Sequence, residues 1–97
     1  MTKAEIVSII SKKTGIDKSD VLKIVESFME EVKNSLKKNI NVYLRGFGSF
    51  IVKTRREKTG RNISKNTTII IPSHNIPSFK PAKTFVQEVK ENVEVSK

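Results

Sequence analysis

Cysteine is absent from the 97-residue chain, which removes disulfides and thiolate metal ligands and leaves the redox compartment open. Histidine occurs once, at His74. A lone histidine in a loop between Pro72 and Pro77 reads as structural or solvated, because catalysis needs groups that converge. The sequence holds no HExxH, GxSxG or Walker pattern. The acids are dispersed among bases, so no carboxylate metal cluster emerges. Neither an enzyme nor a cofactor is expected. No apolar run reaches the length of a membrane span, and residues 1–7 lack the apolar stretch of a secretory signal. The expectation is a cytoplasmic protein that avoids membranes. Two N-x-S/T sequons, at Asn62 and Asn66, read as chance without a secretory route. Residues 53–78 contain no aromatic side chain, which argues against the stacking platform of a single-strand or RNA binder.

What the chain has is positive charge. Lys and Arg number 19 against 10 Asp and Glu, a formal net charge of +9. The charge is unevenly placed. Between positions 45 and 83 stand Arg45, Lys53, Arg55, Arg56, Lys58, Arg61, Lys65, Lys80 and Lys83, with Glu57 the single acid, for a net +8. Solubility does not require one sign to be gathered in one segment. A concentrated cationic field attracts polyanions, nucleic acid first. The length suits one domain, 1–97, but so small a chain has limited surface to bury, and an oligomer would help it.

Two amphipathic helices occupy the first part, 1–39. Thr2-Lys3-Ala4-Glu5 has the form of a capping box. Ile6, Val7, Ile9 and Ile10 follow at helical spacing, with Gly15 as the stop. Asp17 can cap a second helix whose apolar residues run from Val21 to Leu36. They fill an arc of about 160°, wider than one neighbouring helix needs, which suggests a second surface and a second chain. From Ile40 the period changes to two: Ile40, Val42 and Leu44 alternate with Asn41, Tyr43 and Arg45, as in a half-buried strand. Gly46-Phe47-Gly48 marks a turn, and Ser49-Phe50-Ile51-Val52 starts a second strand. Thr67-Thr68-Ile69-Ile70-Ile71 reads as a third strand. Residues 53–66, basic and poor in large apolar groups, form the outer part of a long hairpin turning near 63–66, and an arm of about 53–75 results. Pro72 and Pro77 confine the returning strand to an edge or an interrupted ladder. Pro81 sits where a short last helix, within 82–97, can begin. The sheet and arm take up 40–81.

A bare cationic ribbon can enter a groove of duplex DNA. Arg55, Arg56, Lys58, Arg61 and Lys65 suit phosphates, sugars and the degenerate minor-groove edges, contacts that give affinity with little sequence information. Ile63 is an apolar residue near the tip of this arm. It reads either as local packing of the turn or as a wedge inserted at a base step, whose unstacking cost is offset by the surface that bent DNA can meet.

Gly46-Phe47-Gly48-Ser49-Phe50, Arg55, Thr59-Gly60-Arg61-Asn62 and Ile76-Pro77-Ser78-Phe79-Lys80-Pro81-Ala82-Lys83 strongly resemble the HU/integration host factor family of bacterial histone-like proteins. The similarity covers nearly the whole chain and is nearer to HU. It implies an α+β fold: two N-terminal helices, a three-stranded antiparallel sheet with a long protruding β-arm, a short C-terminal helix, and an intertwined dimer. By position, Arg55, Lys58, Arg61 and Asn62 would be minor-groove contacts. Lys3, Lys53, Lys80 and Lys83 would touch the flanking backbone, and Gly46 and Gly48 would shape the turn beneath the duplex. The implied function is architectural: bending, wrapping and compacting duplex DNA in the bacterial nucleoid without strong sequence preference, as a homodimer or with a paralogue. Bent, nicked or flexible duplex would be favoured. The alternatives are a sequence-specific bender like integration host factor and a basic RNA- or ribosome-associated protein. Two departures stand out. Ile63 takes the place of the family's usual arm-tip proline, and Thr67, Ile70 and Val86 stand where Lys or Arg is common.

Overall fold

In the computed structural model, which describes residues 1–62 and 67–95, the chain runs α1 (Lys3–Thr14), α2 (Lys18–Lys37), β1 (Val42–Leu44), β2 (Gly48–Arg55), β3 (Lys58–Asn62), β4 (Thr67–Ile71), β5 (His74–Pro81) and α3 (Lys83–Asn92). The turn foreseen at 63–66, with Ile63 and Lys65, lies outside the described residues.

Each helix starts and stops where local chemistry directs. The Glu5 amide donates to Thr2 Oγ1 at 3.3 Å, and Gly15 ends α1 in the left-handed conformation, its N–H donating to the Ser11 carbonyl. Asp17 occupies the N-cap of α2 as expected, but its side chain makes no capping bond. Beyond α2, Asn39 adopts φ +61°, and the amides of Asn39 and Ile40 return to the carbonyls of Leu36 and Ser35. That closure satisfies carbonyls that the helix end leaves open.

The main sheet is antiparallel, in the order β1–β2–β5. Thr67–Ile71 is a strand, and it lies within the span of about 53–75 read as the arm, outside the main sheet. It pairs with β3 in a separate two-stranded sheet, Lys58 opposite Ile71 and Asn62 opposite Thr67. The third place belongs to β5, which runs alongside β2 from Gly48–Pro81 to Arg55–His74. Two prolines are tolerated in it because β5 is an edge strand. A correction concerns the start of the last helix: Pro81 ends β5, and α3 begins at Lys83 with Ala82 as its N-cap.

Strand alternation gives the main sheet two unlike faces. Phe50, Val52 and Pro77 join Phe28, Met29, Val32 and Leu36 of α2 around an apolar groove of about 680 Å³. At one end, the ring of Phe47 lies 5.1 Å from Phe79 and 5.6 Å from Phe85, and Phe50 lies 4.9 Å from Phe79. These rings tie the turn, the sheet and α3 together. The interior is otherwise thin. Among the described residues, Val7 and Val21 are the buried hydrophobic side chains, while Ile24 remains 62% exposed and Phe28 46%. The radius of gyration is 19.1 Å, against about 12.5 Å for a compact domain of this length.

Candidate nucleic-acid interface

The basic residues are positioned by the pleat of β2. Val42 pairs with Phe50 and Phe50 with Phe79, placing these on the body side. Thr54 and Asn75 share that side, and their side chains hydrogen bond at 2.7 Å. The alternate positions therefore point outward. Tyr43, Ser49 and Lys80 form one cross-strand row, Ile51 and Ser78 the next, then Lys53 with Ile76, then Arg55 with His74. With about 3.4 Å per residue, the Lys80 and Arg55 rows are separated by about 20 Å along the strands. Lys53, Arg55 and Lys80 are thus brought onto a single face.

At one end of this face, a shallow hollow of about 320 Å³ is lined by Tyr43, Arg45, Ser49, Lys80 and Lys83 among others. Gly46 and Gly48 belong to the turn at its margin. Gly46 has φ +81°, and the turn closes through Phe47 N–H to the Leu44 carbonyl at 3.0 Å. The Ala82 amide donates to the Phe47 carbonyl at 2.9 Å and fixes the start of α3, and hence Lys83, against the turn.

At the other end the main sheet gives way to the arm. Arg56 and Glu57 link β2 to β3, and Lys58 opens β3. Arg61 and Asn62 lie on β3, with backbones opposite Thr68 and Thr67. Every residue of β4 is exposed. Among the described residues the ion pair recorded is Lys3 with Glu26 at 3.5 Å, both about half exposed, on the helical body. Lys3 therefore stands on α1, apart from the sheet rows, while Lys53, Arg55, Lys58, Lys80 and Lys83 have no acid partner among the described residues.

Three outward groups escaped the sequence-based selection of site residues. Tyr43 is 73% exposed and shares a row with Lys80. Arg45 lines the basic hollow. Both were available from the period-two alternation, since Val42 and Leu44 inward imply Tyr43 and Arg45 outward. His74, expected in a loop, is instead the first residue of β5 and faces outward beside Arg55. Its position depends on the β2–β5 register, which has no local signal.

A family profile described as bacterial DNA-binding protein matches residues 1–90. HU of Thermotoga maritima is 37% identical over 90 residues, 93% of this chain and 100% of its own length. Integration host factor subunit alpha of Idiomarina loihiensis is 36% identical over 94 residues, 97% of this chain and 95% of its own. Among solved structures, Anabaena HU cocrystallised with DNA superposes with a TM-score of 0.87 at 29% identity, covering 92% of this chain and 97% of that one.

Proposed function

The chain belongs to the bacterial DNA-binding protein family, with HU and integration host factor among its relatives, and on that premise we propose that it is an architectural protein that grips and bends duplex DNA as a homodimer. The observation that carries this reading is the outer face of the main sheet. Lys53, Arg55 and Lys80 project from it, with Arg45 and Lys83 at its end and no acid among them. Backbone phosphates are the complementary surface, and such contacts hold DNA without reading its sequence. Lys58, Arg61 and Asn62 on the arm extend the grip into the minor groove, supported by Arg56 and Lys65. Lys3 adds a flanking backbone contact, and Ile63 acts as the wedge at a base step. The place of action is the bacterial nucleoid.

The same surfaces support the homodimer. With few buried side chains among the described residues, the groove between α2 and the sheet needs a cover, and burying a side chain such as Phe28 or Met29 stabilises by about 1.5–3 kcal/mol. A second chain provides that cover.

Duplex affinity measured across a salt series tests the grip. Log K should fall linearly with log salt, and a flat response would overturn the electrostatic account. The relationship to integration host factor subunit alpha favours a second reading, a sequence-specific bender. Competition between a defined site and random duplex separates the two. The expected preference is less than about tenfold, against the 10³ or more of a specific binder. Tighter binding to RNA hairpins than to nicked duplex would instead favour an RNA-associated role. For the wedge, Ile63→Ala should reduce the bend angle; an unchanged angle and affinity would leave Ile63 without an intercalating role.

A further inference from the structure

We propose that His74 is a phosphate-binding residue of the DNA interface whose outward donor appears only when the imidazole takes up a proton, so that DNA binding is proton-linked. The inference rests on the DNA-binding reading above and adds to it a residue and a control.

Three observations lead to it. His74 is exposed and pairs directly with Arg55 in the β2–β5 register, on the face that also carries Lys53. It thus stands where the main sheet meets the arm. The ring is also held in a definite state. Nδ1 lies 3.0 Å from the carbonyl oxygen of Pro72. A carbonyl can only accept, so Nδ1 carries the hydrogen, and neutral imidazole leaves Nε2 as a bare acceptor. Opposite a phosphate oxygen, that arrangement places two acceptors face to face. A proton on Nε2 leaves the Pro72 contact intact and turns the other side of the ring into a charge-assisted donor.

The surroundings allow phosphate to be the group that meets this donor. Across β2 stands Arg55, with Lys53 one pleat repeat beyond. On the same face of β5 the next residue is the apolar Ile76. Among the described residues no carboxylate forms an ion pair with the ring. Glu57, in the link from β2 to β3, is the single acid between positions 45 and 83. The imidazolium charge thus adds to a cationic row instead of being neutralised within the protein.

The test is binding of the full chain to a nicked duplex across a salt series at about pH 5.5 and about pH 8. The parent should bind about tenfold tighter at the lower pH at moderate salt. The slope of log K against log salt should steepen by about 0.9 for each histidine engaged, or about 1.8 for a dimer. His74→Gln, exposed and not expected to disturb folding, should bind like the parent at the higher pH and lose the pH response. His74→Lys should be tight at both pH values. Parent binding that ignores pH overturns the proposal, as does a pH response that survives in His74→Gln. Either outcome leaves the DNA-binding reading standing. Failure of the parent to bind duplex at either pH would overturn that reading, and this proposal with it.

Discussion

A Cβ on Gly48 would stand 2.6 Å from the Lys80 carbonyl oxygen and 2.6 Å from Cζ of Phe79. Backbone and ring cannot both yield without moving β5, so glycine is required there for close approach. Gly46 is favoured for a different reason: its φ is +81°, yet nothing lies within 4 Å of an added Cβ. The two glycines should therefore respond differently to substitution. Gly48→Ala should cost about 1–3 kcal/mol of stability, as overpacking does. Gly46→Asn should cost less than about 1 kcal/mol, because Asn tolerates the left-handed region. Urea unfolding of the two variants checks this, and equal losses would contradict it. The Lys3–Glu26 pair offers another residue-scale expectation. Both side chains are about half exposed, so Glu26→Gln should change stability by less than about 1 kcal/mol. It should also strengthen DNA binding by releasing Lys3, and unchanged affinity would remove Lys3 from the interface.

The arm shows at the scale of elements why stability and binding separate. β3 and β4 pair only with each other, and the side chains of β4 are all exposed. Lys58→Ala should therefore weaken duplex binding and flatten the salt slope by about 0.9 for each phosphate left without its lysine. Its unfolding free energy should stay within about 0.5 kcal/mol of the parent. A thermal scan alongside the binding series would tell unfolding of the variant from weakened binding by a folded one. The elements also show what was legible in advance. Thr2, Glu5 and Gly15 specify both ends of α1 through local bonds, so the capping pattern sufficed. Val42 and Leu44 specify which way Tyr43 points. By contrast, the isoleucine run of β4 announces a strand without naming its partner, and β5, interrupted by Pro77, announces itself weakly. What puts β5 rather than β4 in the main sheet is pairing across about twenty residues, Arg55 opposite His74. Local propensity carries no information about such a register, and for that reason His74 could not be placed on the interface from sequence.

For the whole molecule, the decisive feature is the mismatch between extent and interior. The chain spans 58 × 39 × 28 Å, while its described hydrophobic core consists of two valines. A groove lined by Phe28, Met29, Val32 and Leu36 lies open beside it. One chain with so little buried surface has no evident source for the several kcal/mol that a stable domain needs. The proposed homodimer, in which two chains close each other's grooves, supplies one, and folding is then inseparable from association. The thermal midpoint should consequently depend on protein concentration. Each tenfold increase adds about 1.4 kcal/mol per dimer. For a unit of about 200 residues this raises the midpoint by about 3–6 °C. A midpoint constant over a hundredfold range of concentration would show that a single chain is stable alone. Phe28→Ala should lower the midpoint and steepen its concentration dependence, because it removes apolar surface from the groove, whereas Lys53→Ala on the opposite face should leave both unchanged.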